Sequence, residues 1–293
     1  MKNSSLKPAV YIVILLVLAI TVSMSIPPKK DKYETMESAI KGHRINVNVK
    51  GLGGHQGECV LLKIKNLLGD SIHVYLEPGR ELIPDDSTLQ DILIVKRMNL
   101  DLSASEEVEI NGYGFCCMSA KHSPYLNAEF NPGRMASPAL VKLANIINSN
   151  KYPENAIQYA IWAISDNHPL SSIYDSDTAK VRSLIDSVAK IKGVVAPWYT
   201  TFYEKDTAML FSGRPERLEA KFSYVVRNNS MITITLMNPI GEKIYTLMKE
   251  NPHDPGEYGY DLKLKVKGWM SGTYTINVIA DGNNILLQKK FKL

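Results

Sequence analysis

The pattern of hydrophobic and polar residues begins with an apolar stretch near the N-terminus. The run from Ala9 to Val22 follows Lys2 and Lys7 and is followed by small residues at 23 and 25, the two positions that a signal peptidase reads. This length is typical of the apolar part of a secretory leader, because a membrane-spanning helix needs about 20 apolar residues. The pattern predicts a signal peptide over 1–25, cleaved after Ser25. An uncleaved N-terminal membrane anchor is the alternative.

Apolar and polar residues alternate after a polar segment, which we interpret as a linker over 26–43. Ile45, Val47 and Val49 alternate with polar neighbours, a period of two that is typical of a strand. Four more strand patterns follow, separated by turns rich in Gly, Pro and Asp, over 59–64, 72–76, 91–98 and 108–117. No strand–helix–strand rhythm is present, so the pattern favours an antiparallel β-sandwich over 44–130.

The middle of the chain changes to a helical period over 131–195. Ser137-Pro138, Pro153-Glu154 and Asp177 are typical helix starts, and each precedes apolar residues at intervals of three and four. Strand patterns resume after an aromatic linker over 196–214. They predict a second sandwich, immunoglobulin-like, over 215–293. The predicted fold class is therefore mainly β with a helical middle.

Composition excludes some classes of protein. Hydrophobic residues make up 45% of the 293 residues and charged residues 22%, as in ordinary globular proteins. The formal charge is +4, and removal of Lys2 and Lys7 with the leader leaves +2 (4 minus 2). No dense basic stripe accompanies it, so we expect no nucleic-acid partner. The six histidines form no metal-binding motif, and no catalytic constellation is apparent. We expect no enzyme activity, no metal and no cofactor.

Three cysteines are present: Cys59, Cys116 and Cys117. Since adjacent cysteines strain when bonded to each other, a disulfide would join Cys59 to Cys116 or to Cys117. The Cys59–Cys117 pairing is our candidate in an exported protein. The alternative is three buried thiols that pack as small hydrophobic groups.

The C-terminal segment carries motifs of a known kind of domain. They are Thr233 to Leu236, Pro255-Gly256-Glu257-Tyr258, the turn around Gly272 and Tyr274, and Asp281-Gly282 leading to Lys289-Lys290 near the end. Over 215–293 the chain resembles the C-terminal sorting domain of the type IX secretion system in Bacteroidetes, and the related FlgD-like fold. The resemblance implies a module read by the secretion machinery. A plain structural module is the alternative.

A second resemblance rests on two short motifs in the centre. Phe115-Cys116-Cys117 and the Gln158 to Trp162 segment are similar to the paired motifs of thioester adhesin domains. In those domains a cysteine and a glutamine side chain join as an internal thioester that captures an amine on a host surface. The resemblance implies a thioester between Cys116 or Cys117 and Gln158. About 40 residues separate the motifs here, fewer than in that family. A glutamine that hydrogen-bonds a loop, with Trp162 in the core, is the alternative.

These features predict an exported, non-enzymatic envelope or cell-surface protein with a binding or structural role. Its location would be the cell surface or the medium, with the periplasm as transit or alternative. Its partners would be the secretion machinery and extracellular molecules, and only the leader would contact a membrane. A covalent thioester adhesin is the alternative function.

Overall fold

The computed structural model describes residues 32–206 and 209–293. It is mainly β with a helical middle, so the predicted fold class is confirmed. The predicted leader over 1–25 and the first residues of the predicted linker lie outside the described residues. Among the helices of the described segments, none is both long and apolar enough to span a membrane.

The N-terminal half is built around a barrel of six strands. The strands are β2 (Ile45–Leu52), β3 (Gln56–Asn66), β5 (Arg80–Pro84), β6 (Ile92–Ile94), β8 (Glu107–Cys116) and β9 (Leu126–Met135). Their order is β2-β3-β8-β6-β5-β9, and β9 pairs back onto β2 to close the ring. Every barrel pairing is antiparallel, which allows short connections between neighbouring strands.

Closure distinguishes this region from the predicted N-terminal sandwich. Val49 on β2 pairs with Phe130 on β9, so the first and last strands of the sheet meet. Strand alternation alone does not distinguish a closed sheet from two stacked ones, because both bury one face of each strand. A separate three-stranded sheet covers part of the barrel core, with β1 (Glu34–Thr35), β4 (Ile72–Leu76) and β7 (Met98–Leu102) in the order β1-β4-β7.

The predicted linker over 26–43 contains folded structure in its described part. Helix α1 (Met36–Lys41) follows β1 directly, and the Thr35 side chain accepts a hydrogen bond from the Ser38 amide. Met36 and Ala39 are buried in the barrel core. Ile40 is partly buried and packs against the same core. With six residues the helix is too short to show a periodic pattern in the sequence.

Three longer helices form the middle of the chain: α2 (Pro138–Ser149), α3 (Glu154–Ser165) and α4 (Thr178–Lys192). Ser137 and Asp177 cap α2 and α4 as the sequence predicts. The helices pack on one another and on the outer face of the barrel, where Leu93, Val95, Phe115 and Cys117 join their core. This packing brings α3 against strands β3 and β8.

The C-terminal unit consists of two antiparallel sheets that share one core. One sheet has the order β10-β11-β14, with β10 (Tyr199–Tyr203), β11 (Pro215–Val226) and β14 (Gly256–Lys265). The other has the order β13-β12-β15-β16, with β12 (Ser230–Met237), β13 (Lys243–His253), β15 (Thr273–Ala280) and β16 (Asn284–Lys292). The predicted linker over 196–214 therefore contains a strand, because β10 pairs with β11 at the edge of the first sheet.

Candidate functional site

The site lies at the end of strand β8, where its pairing with β3 runs out. The last paired residues are Gln56 and Phe115, so Cys116 extends one residue beyond the ladder. Its amide donates to the carbonyl oxygen of His55 at 3.0 Å. On the other side β8 continues its pairing, with Cys116 opposite Ile92 of β6.

Gln158 of helix α3 lies beside Cys116, next to the first residue of β3, where the β3–β8 pairing stops. Its Oε1 accepts a hydrogen bond from the Cys116 amide at 3.2 Å, and its Nε2 donates to the Cys116 carbonyl at 2.8 Å. The side-chain amide of Gln158 thus bonds both the N–H and the C=O of Cys116, in the way that the backbone of a neighbouring β-strand would. Only 1% of Gln158 is exposed and none of Cys116. The structure therefore brings Gln158 together with Cys116, one of the two cysteines that the thioester resemblance proposed.

The three cysteines are free thiols, and all are buried. Cys59 and Cys116 belong to the barrel core, whereas Cys117 belongs to the core between the barrel and the helices. Consecutive strand residues face opposite sides of a sheet, so Cys117 is turned away from Cys59. The predicted Cys59–Cys117 disulfide is therefore absent from the structure, because the two thiols lie in different cores.

Burial keeps all three thiols protonated at neutral pH. It raises the pKa of Cys59 to about 12. The pKa of Cys116 is raised by burial and further by the neighbouring Cys59 and Asp91. The pKa of Cys117 is raised well above its usual value by burial and by the nearby Glu81. None of the three cysteines is therefore an exposed thiolate of the kind found in catalytic cysteines.

Aromatic residues lie beside Gln158 on α3. Trp162 is 2% exposed and lies one helical turn after Gln158, as expected from the spacing. Its ring stacks against His55 with 6.3 Å between centroids, and Tyr159 packs edge-on at 5.6 Å. The Cys116–Gln158 pair is itself buried, which strengthens its hydrogen bonds.

The segment after Cys117 is fixed to the end of α3 by contacts that sequence reasoning missed. The Ser119 amide donates to Asp166 Oδ2 at 3.0 Å, and the Ser119 hydroxyl lies 3.0 Å from His168 Nε2. Burial lowers the pKa of His168, so the imidazole is neutral at neutral pH. Asp166 and His168 belong to a stretch that the sequence marks only as a helix stop. No local signal links them to Ser119.

The residues of the sorting-like motif make structural contacts within the C-terminal unit. The Tyr274 ring is buried and stacks on Phe291 at 5.2 Å. Gly272 has a φ of 151°, and a Cβ there would lie 2.7 Å from Pro239. Gly272 also exchanges two backbone hydrogen bonds with Leu293, each 3.0 Å long. These contacts secure the C-terminal residue to the turn before β15.

The remaining residues of that motif form a turn and a strand surface. Asp281 Oδ1 accepts a hydrogen bond from the Met231 amide at 2.8 Å, and Gly282 follows it with a φ of 82°. Lys289 lies over the Trp198 ring at 5.4 Å, and the Lys290 carbonyl accepts from Trp198 Nε1 at 2.7 Å.

No family model matches the chain, and no curated protein matches it. Among solved structures the chain is similar to a β-glucosidase from Kluyveromyces marxianus in complex with glucose, at 10% sequence identity and a TM-score of 0.21. The match covers 80% of this chain and 44% of that enzyme. A similarity at that TM-score supports no statement about activity. Within residues 32–206 and 209–293, no three His, Cys, Asp or Glu side chains are grouped to hold a metal ion.

Proposed function

We propose that this chain is an exported surface protein that attaches covalently to amine-bearing partners through an internal thioester between Cys116 and Gln158. The observation that carries the proposal is the paired hydrogen bonding of the Gln158 amide to the backbone of Cys116. Of the two candidate cysteines, Cys116 is favoured because its own N–H and C=O hold the amide. Its sulfur is two bonds from the Cα of the residue whose backbone holds the amide, and the thioester requires a χ1 rotamer that turns Sγ toward Cδ of Gln158.

The chemistry follows from the groups in place. The Cys116 sulfur adds to Cδ of Gln158, and negative charge develops on Oε1, which already accepts a hydrogen bond from the Cys116 amide. The bond from Cδ to Nε2 then breaks, the thiol proton passes to nitrogen, and ammonia leaves. An amine that later attacks Cδ displaces the thiol of Cys116 and leaves a stable amide at residue 158. The step occurs once in each molecule, so it needs no turnover, and a slow reaction through the small thiolate fraction of Cys116 is sufficient.

Burial supports the persistence of such a bond. Thioesters hydrolyse in water, and both Cys116 and Gln158 are buried away from solvent. The exported location rests on the predicted leader over 1–25, and the C-terminal unit would serve secretion or attachment to the surface. These parts of the proposal rest on the sequence motifs.

The intact mass of the purified protein tests the proposal. The wild-type chain should be lighter by about 17 Da than the mass calculated for its sequence, because ammonia is lost. The same mass spectrum shows whether the predicted leader has been removed, because a chain cleaved after Ser25 starts at Ile26. The C116A and Q158A variants should show the full calculated mass.

The C117A variant is the matched control, because Cys117 is the adjacent buried cysteine and faces the opposite side of β8. It should keep the deficit of about 17 Da. Wild-type protein at the full calculated mass would refute the thioester and leave Gln158 with a purely structural role at the sheet edge. A deficit that persists in C116A and disappears in C117A would move the bond to Cys117.

A further inference from the structure

A second site lies apart from the Cys116–Gln158 pair, where the helical middle meets the C-terminal unit. It is a cavity of about 580 Å³. Five aromatic rings line it: Tyr159, Tyr174, Phe202, Tyr203 and Phe211. Cavities of this size, lined by aromatic rings and placed between structural units, are typical of small-molecule binding sites.

The rings form a connected wall. Tyr159 packs against Tyr174 with 5.3 Å between centroids, and Tyr174 against Phe202 at 5.0 Å. Tyr203 and Phe211 are 4.6 Å apart and continue the wall from the C-terminal unit. A flat aromatic ligand would find ring faces and edges at the distances that aromatic pairs favour.

Charge at the cavity is unbalanced. Four cationic side chains line it, against two carboxylates, an excess of two positive charges; the cations are Lys205, Arg217, Lys265 and Lys267, and the carboxylates are Glu204 and Glu216. Glu204 is already bound by Lys267 at 2.8 Å and by Arg214 at 3.0 Å. In the described part of the chain, Lys205 and Lys265 have no carboxylate partner, so they are available to an anion.

Two of the phenols at the cavity are neutral. Burial raises the pKa of Tyr203 to about 12, and burial together with Tyr174 raises that of Tyr159. Both phenols keep their protons at neutral pH and add no negative charge to the cavity. The guanidinium of Arg217 lies 4.2 Å from the centre of the Phe202 ring and bonds Glu219 at 3.2 Å, so its charge is already paired, and Lys205 and Lys265 are the cations open to an anion.

We propose that this cavity binds small aromatic anions, with the ligand ring against the aromatic wall and its acidic group at Lys205 and Lys265. The wall supplies apolar contact and stacking, and the two lysines select for negative charge. The proposal is independent of the thioester, since neither Cys116 nor Gln158 lines the cavity.

Titration calorimetry with two probes of the same shape tests the proposal. The probes are 2-naphthoate, which is an aromatic carboxylate, and 2-naphthalenemethanol, which carries the same ring without charge. Wild-type protein should bind 2-naphthoate saturably at one site and at least about 10-fold more tightly than the alcohol. The K205A/K265A variant should lose about 10-fold in affinity for 2-naphthoate and keep its affinity for the alcohol.

The K263A variant is the matched control. Lys263 is exposed on the same strand as Lys265, two residues away, and does not line the cavity. It should bind 2-naphthoate as the wild type does. The C116A variant should also bind normally, which separates this result from that of the thioester. Absence of saturable binding, equal affinity for the two probes, or unchanged binding by K205A/K265A would each overturn the proposal.

Discussion

At the scale of single residues, the account depends on what the Gln158 amide does for Cys116. The carbonyl of Cys116 accepts from Gln158 Nε2, and its amide is shared between Gln158 and His55. Buried backbone groups without partners are costly, so this side chain has a structural effect whether or not a thioester forms.

Substitution of Gln158 by alanine should therefore destabilise the fold even where no thioester can form. The comparison is made in the C116A background, which removes the sulfur and keeps the backbone. There, Q158A should lower the free energy of unfolding by about 1–3 kcal/mol, because the carbonyl of residue 116 loses its partner. Urea denaturation of the two proteins measures the difference.

An exposed position in the same helical layer supplies the control for this experiment. Lys142 lies exposed on α2, and K142A in the same background should change the free energy of unfolding by less than about 0.5 kcal/mol. If Q158A is as stable as K142A, the paired hydrogen bonds contribute nothing to the fold.

The sequence predicted the partners at this site better than it predicted the cysteine pairing. Motif resemblance placed Gln158 near Cys116, and the spacing of Trp162 placed both side chains of α3 together. The Cys59–Cys117 pairing was predicted from the exported compartment alone, and the structure leaves both thiols free in two different cores. A bulge in β3 between Glu58 and Val60 also shifts the register, so the face that Cys59 occupies cannot be read from simple alternation along the strand.

At the scale of elements, the sequence located most helices and strands but missed short or half-buried ones. Ser137 and Asp177 were identifiable as caps because their side chains bond the first free amides of α2 and α4. Helix α1 has six residues, too few for a periodic pattern. Strand β10 is half-buried at four of its five positions, so no alternation appears.

An ion network attaches α1 to the barrel. Arg80 of β5 is 2% exposed and bonds Glu77 at 2.7 Å, Glu37 of α1 at 2.9 Å and the Gly133 carbonyl at 2.7 Å. Hydrogen bonds from Lys41 and then Arg80 lower the pKa of Glu37 from 4.5 to about 2. Because the folded state holds this carboxylate ionised, Glu37 stabilises the fold above pH 4.5.

We expect that stabilisation to be lost progressively as the pH falls from 4.5 to about 2, where Glu37 becomes protonated in the folded protein as well. In the E37Q variant the decline in urea midpoint across this window should be shallower than in the wild type. Measurement of the midpoint at several pH values tests this.

A second glutamate serves as the matched control. Glu129 is exposed on β9, and E129Q should leave the pH dependence of the wild type unchanged. Coincident curves for the wild type, E37Q and E129Q would contradict the coupling of Glu37 to Arg80.

At the scale of the whole molecule, the arrangement of elements could not be read from the sequence. Barrel closure requires β2 and β9 to pair across about 80 residues, and hydrophobic alternation does not encode such long-range partners. The β3 pairing stops at Gln56 and leaves Cys116 of β8 without a strand partner on that side, and the packing of α3 on the outside of the barrel supplies Gln158 there. The site thus arises from the assembly of the barrel with the helices.

The C-terminal unit is joined to this assembly through an aromatic junction. Phe211 stacks on His168 at 3.9 Å, and Phe202 packs on Tyr174. The buried hydroxyls of Thr201 and Ser171 are bonded at 3.1 Å. These contacts place the proposed anion cavity next to the helix that carries Gln158, while the predicted export of the whole chain rests on the leader.

The most direct measurement of the central claim is a peptide map of the protein unfolded in the presence of methylamine. If a thioester joins the two residues, the peptide with Gln158 should be about 14 Da heavier, as the N-methyl amide, and Cys116 should become open to alkylation in equal yield. Protein unfolded without methylamine should lack the methyl amide. An unmodified Gln158 after methylamine treatment, with Cys116 alkylated to the same extent in both samples, would contradict the account.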